Sequence, residues 1–201
     1  MTTNPKIETE RIYLRKLNLN DCSDLAKVLS DPVSMIHYGG AFSFDKVEQW
    51  IFKNTKRYET DDYGLWAMIR KSDDAFMGDC GITNQIVDGE LIQEIGYHVI
   101  RNYCNMGYAT ESALACKIHA FKNLKIPIIY SYTRVDNLAS RRVAEKIGMI
   151  ETKRFMSNGH EQILYGVINK LSAQQVDAPE PATMIFFALQ YHIGRPGDLW
   201  R

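Results

Sequence analysis

The stretch from Leu91 to Tyr132 constrains this chain most. Leu91–Ile100 reads as a half-buried strand, Gly107–Leu124 carries apolar residues at helical spacing, and Ile128–Tyr132 is a short apolar strand. A strand that passes through a helix into the next strand of one sheet makes a crossover, and the two strands pair in parallel. The residues before it favour the opposite arrangement. Leu65–Arg70, Phe76–Val87 and Leu91–Ile100 are strand-like runs separated by Asp73-Asp74 and by Asp88-Gly89, the latter a strong hairpin signal. Together these patterns predict an α/β (α+β) fold with a mixed, mostly antiparallel sheet flanked by helices.

The remaining elements extend that sheet and cover it. Arg11–Arg15 is a further strand, followed by a helix capped at Asn20 or Asp21 that carries Leu25, Val28 and Leu29 and stops at Asp31-Pro32. A helix over Asp45–Tyr58 puts Val47, Trp50 and Ile51 on one face. Leu138–Ile147 is helical, with Asp136 or Asn137 as its cap and Gly148 at its end. Strands Thr152–Met156 and Gln162–Ile168 flank Ser157-Asn158-Gly159, a second hairpin turn. Along the 107–124 helix, Ala109, Ala113, Cys116 and Ala120 share one side with Leu114, Ile118 and Phe121 beside them, a pattern read as core packing, with His119 a surface or packing residue. Residues 1–171 make one domain. The Ala178–Pro181 linker and the apolar run Met184–Leu189 form a tail, 172–201, with no assigned role.

Several function classes drop out on composition. A chain of 201 residues buries a sizeable core without disulfides or metal, and its 24 basic and 24 acidic side chains argue against binding nucleic acid or a membrane through net charge. No apolar run approaches the roughly 20 residues that cross a bilayer, and Met1–Lys6 lacks a signal pattern. Cys22, Cys80, Cys104 and Cys116 form no CxxC pair and suit free thiols, so a cytoplasmic location is expected. No residues stand at metal-ligand spacing, and either a monomer or a homodimer is compatible. The charge is unevenly distributed. Residues 1–100 carry 11 basic and 16 acidic side chains, a net −5, while residues 101–170 carry 11 and 5, a net +6. By itself this is the ordinary variation between neighbouring solvated faces.

The entry to the 107–124 helix is the first chemical feature. A helix start leaves backbone N–H groups unpaired and carries about half a positive charge, so a loop bending tightly into it ligates phosphate. Gly107 and Ala109 let oxygens approach the main chain, and the amides of Asn105, Met106, Gly107, Tyr108, Ala109 and Thr110 form the expected cradle. A P-loop needs Gly-Lys-Ser/Thr at this point and a Rossmann site needs three spaced glycines early in a βαβ unit; the chain has neither.

Three segments in register, Glu94-Ile-Gly-Tyr97, Gly107-Tyr-Ala-Thr-Glu111 and Asn137-x-x-Ser140-Arg-x-x-x-x-Lys146-x-Gly148, resemble the GNAT superfamily of N-acetyltransferases, nearest its RimJ/RimL-like branch. The resemblance covers roughly residues 7–170. It implies a sheet splayed between its fourth and fifth strands, here Leu91–Ile100 and Ile128–Tyr132, with acetyl-CoA wedged in the opening. It also implies that main-chain groups of His98, Val99 and Ile100 bind the pantetheine arm and that the 105–110 amides hold the pyrophosphate. Asn137 would contact the pantetheine, Ser140 would lie near the thioester sulfur, and Arg142 would reach a CoA phosphate. The basic bias of residues 101–170 then has a ligand. Cys104 stands where the pattern has Gln or Arg, and Ala144 where many relatives carry the tyrosine that protonates the leaving thiolate. That last role passes to Ser140 or to water.

The expected reaction is direct attack of a primary amine on acetyl-CoA in a ternary complex, with Val99 or Ile100 N–H stabilising the oxyanion. Glu94 is the expected base, on the resemblance, and pairing of Glu94 with a cross-strand cation is the competing structural reading. His98 is a secondary candidate. His37, Tyr38, Trp50 and Trp66 are the aromatic candidates for an acceptor wall. At pH 7 an α-amine of pKa about 7.8 costs roughly 1 kcal/mol to deprotonate, and an amine near 10.4 about 4.6 kcal/mol, which favours a protein or peptide N-terminus. A small amine such as a polyamine, amino acid or aminoglycoside is the alternative acceptor, and an acyl-CoA-binding module without turnover is the alternative class.

Overall fold

A computed structural model describes residues 6–169, so the 172–201 tail lies outside the described residues. The chain builds β1 (Ile7–Glu8), β2 (Ile12–Arg15), α1 (Cys22–Leu29), α2 (Phe44–Thr60), β3 (Leu65–Arg70), β4 (Phe76–Val87) and β5 (Glu90–Val99). It continues through α3 (Tyr108–Lys122), β6 (Ile128–Arg134), α4 (Leu138–Lys146), β7 (Ile150–Ser157) and β8 (His160–Ile168). All eight strands join one sheet in the order β1-β2-β3-β4-β5-β6-β8-β7. Every pairing is antiparallel except β5 with β6, the crossover pair expected from the sequence. The short β1 had no sequence signal, so the splayed strands are the fifth and sixth.

Both hairpin turns form as their dipeptides dictate. Asp88 and Gly89 have φ of 55° and 82°, and Asn158 and Gly159 have 51° and 76°, the left-handed pair a two-residue loop needs to match strand twist. The first helix starts at Cys22 with Asp21 at its N-cap, as expected, and a 3-10 turn precedes it. Asn18 caps a one-turn 3-10 segment, Leu19–Asp21, and Asp21 closes a capping box with it before α1 starts. Buried Asp21 also takes two bonds from the Arg15 guanidinium, at 2.8 and 2.6 Å, which fixes α1 to β2.

The sheet separates two cores. On one face Ile12, Leu14, Trp66, Met68, Cys80, Ile82 and Ile95 pack against Ala113, Cys116 and Ala120 of α3. On the other, Ala67 and Ile69 pack against Leu25, Val28 and Leu29 of α1 and Val47 and Ile51 of α2. Leu114 and Ile118 correct the sequence reading. They are 38% and 44% exposed and line a groove of about 1050 Å³ along the outside of α3, because the face of α3 turned to the sheet is the one carrying Ser112, Ala113, Cys116 and Ala120.

Candidate active site

β5 and β6 touch at one registered pair, Glu94↔Tyr130. Beyond Glu94, β5 keeps its full ladder with β4 but has no registered partner on the β6 side. Main-chain groups in an antiparallel ladder alternate between facing the partner strand and facing away. The Ile100 N–H donates to the Met77 carbonyl at 2.8 Å. Ile100 and, two residues back, His98 therefore turn their main chains toward β4, and Val99 faces the opening. Of the three expected pantetheine and oxyanion positions, Val99 turns its N–H to the opening while its carbonyl accepts from the Cys104 thiol at 3.7 Å; the N–H groups of Ile100 and His98 are committed to the β4 side.

The side chains of β5 alternate in the same way. Tyr97 points to the α3 side, where its hydroxyl lies 2.9 Å from Ser140 Oγ and donates to the Ser140 carbonyl at 3.0 Å. Glu94 and His98 point to the α1 and α2 side. Glu94 is 9% exposed and faces Thr83 across the ladder, and no ion pair holds it among the described residues. The cross-strand-cation reading is thereby corrected. Burial raises its carboxyl from 4.5 to about 7, against the pull of the Tyr132 N–H bonded to it and of nearby His98 and Arg57.

His98 has a partner that sequence reasoning did not single out. Its Nδ1 lies 2.7 Å from Oδ1 of Asp79, which is fully buried, while Trp50 Nε1 donates to Oδ2 of the same carboxylate at 3.0 Å. The register of the Asp88-Gly89 hairpin could have revealed it, since a two-residue loop sets Asp79 opposite His98. Gly78 makes the approach possible: its φ is +140°, and a Cβ there would sit 2.0 Å from the His98 carbonyl oxygen. Tyr38 and Trp50 flank the His98 imidazole, with ring centroids at 4.7 and 5.7 Å. His37 reaches across to the loop before α4, with Nδ1 3.4 Å from Asp136. Trp66 does not join them. It is fully buried on the opposite face of the sheet, edge-on to His119, because its register partner is Cys80 and not Asp79.

The loop into α3 has the geometry expected of an anion cradle. Gly107 is the N-cap, with φ 86° and no side-chain cap, and Asn105 has φ 62°. None of the amides from Asn105 to Thr110 donates to a protein group among the described residues; the first helical bond is Glu111 N–H to the Gly107 carbonyl. Arg11, which carried no local sequence signal, supplies a guanidinium beside this turn. It donates to the Met106 carbonyl at 3.1 Å, pairs with Glu111 at 2.5 Å, and lies over the Tyr108 ring at 4.5 Å. Its Nη2 would lie 3.3 Å from a Cβ on Gly107. On α4, Asn137 caps the helix by accepting from Ser140 N–H at 3.2 Å, and Arg142 is exposed with no ion pair among the described residues. Cys104 is a free, exposed thiol.

The chain matches the family model of the acetyltransferase (GNAT) domain over residues 11–150. It belongs to the GNAT acetyltransferases. The protein YkkB of Bacillus subtilis, described as uncharacterized, is 33% identical over 154 residues, covering 76% of this chain and 90% of that one. Among solved structures, a GNAT-family acetyltransferase from Bacillus anthracis is 26% identical with a TM-score of 0.71, covering 82% of this chain and 98% of the other. A spermidine N-acetyltransferase from Vibrio cholerae, in complex with CoA and spermine, shares the fold at 16% identity and a TM-score of 0.64, covering 79% and 96%. This GNAT acetyltransferase has no helix long and apolar enough to cross a membrane among the described residues. GNAT enzymes take their acetyl group from acetyl-CoA. Family membership sets aside the reading as a binding module without turnover.

Proposed function

We propose that this GNAT acetyltransferase transfers acetyl from acetyl-CoA to the α-amine of a protein or peptide N-terminus, as a RimJ/RimL-like enzyme. The observation that carries the reading is Glu94, a buried carboxylate without an ion pair among the described residues, raised to about 7 where the sheet begins to open. A base of that strength matches an amine of pKa about 7.8 within roughly one unit, and falls more than three units short of a lysine-like or polyamine nitrogen.

The unpaired amides of Asn105 to Thr110 fit the pyrophosphate of CoA, with Gly107 keeping the main chain clear and Arg11 adding charge at the rim. Val99 offers its main-chain N–H to the thioester oxygen, Asn137 meets the pantetheine, and Arg142, exposed and without an ion pair among the described residues, meets a phosphate. Acetyl-CoA supplies the electrophile; the chain supplies position and proton transfer. Glu94 accepts a proton from the acceptor nitrogen. Ser140, bonded to Tyr97, stands where a proton for the departing sulfur is needed, which compensates for Ala144. His37, Tyr38 and Trp50 form the acceptor wall, and the acidic first hundred residues attract a cationic amine.

Thiol release from acetyl-CoA, followed across peptides with free and blocked N-termini, free lysine and spermidine, tests the reading. Free-N-terminus peptides should turn over best. A clear preference for spermidine, or for peptides whose sole free amine is on lysine, would overturn the acceptor assignment.

A further inference from the structure

We propose that His98 is a second catalytic base of this enzyme: its Nε2, with Nδ1 held by Asp79, takes the second proton of the acceptor nitrogen, after Glu94 has taken the first. The inference rests on the acyl-transfer reading above and adds a residue to it.

Three observations carry it. The first is the tautomer. Asp79 is fully buried, and Trp50 already donates to Oδ2, so the contact of 2.7 Å at Oδ1 is one in which His98 Nδ1–H donates to a carboxylate. A neutral ring so held carries its lone pair on Nε2. The second is that lone pair's surroundings. His98 is 7% exposed, and Nε2 has no hydrogen-bond partner among the described residues. Buried polar atoms are nearly always paired, so an unpaired one beside a substrate opening points to a group that substrate supplies. The third is location. His98 lies four residues beyond Glu94 on the same face of β5, past the registered β5–β6 pair, and against Tyr38 and Trp50 of the proposed acceptor wall.

Two bases suit the proton balance. The acceptor arrives as an ammonium ion, and Glu94 takes one proton from it. The neutral nitrogen forms the C–N bond to the acetyl carbon, and its second proton passes to His98 Nε2 as the C–S bond breaks. Ser140 gives the departing sulfur its proton and is reprotonated from solvent, while the protons on Glu94 and His98 return to solvent, so the reaction releases one proton net for each amide made. Asp79 acts here as a positioning residue, with Trp50 fixing its second oxygen.

The test is His98→Asn, whose side-chain amide still donates to Asp79 but offers no group in the place of Nε2. Expected is a fall in kcat of about 100-fold, with the KM for acetyl-CoA within about twofold and part of the rate restored by added imidazole. The thermal midpoint and CoA binding report whether the variant keeps its fold. Asp79→Asn, which reverses the ring's hydrogen bond, should lower kcat by about tenfold or more without changing CoA binding. Turnover of a folded His98→Asn within twofold of the parent, or a loss that imidazole does not restore, overturns the proposal. Should both variants fail to fold, histidine ¹⁵N spectra of the unaltered enzyme decide: the His98 Nε2 resonance must move from the lone-pair range when CoA and an acceptor peptide bind together, and a stationary resonance overturns the assignment. Absence of turnover by the unaltered enzyme on every amine would instead count against the acyl-transfer reading, and a spermidine preference only against the α-amine; His98→Asn is then assayed on whichever amine reacts.

Discussion

Glu94 of β5 faces Tyr130 of β6, and this one pair is the hinge at which a continuous sheet becomes an open cleft. The carboxylate at that point is buried, with no ion pair among the described residues, and burial raises it to about 7. Its ionised form is the proposed base. Turnover on an α-amine should therefore rise with pH through about 7, and Glu94→Gln should lower kcat by about 100-fold while leaving CoA affinity within about twofold. Steady-state kinetics from pH 5.5 to 8.5, with CoA binding by calorimetry, checks both; an unchanged rate removes Glu94 from the mechanism.

The same carboxylate also influences stability. Its folded value, about 7, lies above the unfolded 4.5, so the native state holds the proton more tightly. This contribution is fully present below about 4.5 and is lost as pH rises through about 7, a cost on the order of 3 kcal/mol. Glu94→Gln, which cannot ionise, should therefore gain stability over the parent at pH 8 and lose that advantage near pH 4.5. Urea unfolding of the two proteins at both pH values measures the difference directly.

Gly107 holds φ 86° at the start of α3. Alanine there meets a left-handed penalty of about 1 kcal/mol and brings a Cβ to 3.3 Å from Arg11, beside the unpaired amides. Gly107→Ala should weaken CoA binding about tenfold with a modest fall in thermal midpoint, read by calorimetry and melting curves. CoA affinity equal to that of the parent would rule out the cradle.

Tyr97 and Ser140 share a hydroxyl contact of 2.9 Å. If they act together on the departing sulfur, as proposed, their losses should not be independent. Tyr97→Phe and Ser140→Ala should each slow turnover by about tenfold, and the double variant should be little slower than either alone. Additive losses would separate the two roles.

Much of this architecture is readable from local chemistry. Asp-Gly and Asn-Gly turns, capping side chains and the change from alternating to helical spacing are short-range signals, so β3, β4, β5, α3 and α4 appear in the sequence close to where they form. The cradle is legible for the same reason, since Gly107 and the helix it starts are neighbours in the chain. Glu94 was found by motif. Its burial, and the absence of an ion pair to it among the described residues, depend on what surrounds it from α2 and β6, which no window of sequence contains.

What the sequence by itself determined is the element order, the crossover, the family motifs and the hairpin register that sets Asp79 opposite His98. Tertiary structure alone decided which side of β5 each residue serves. It put Trp66 in the α3 core, kept Trp50 on Asp79, exposed Leu114 and Ile118, and brought Arg11 to a turn nearly a hundred residues away. The physical reason is that charge, burial and pairing are properties of neighbours in space. A strand's alternation assigns residues to two faces, and only packing makes one face a core and the other a site.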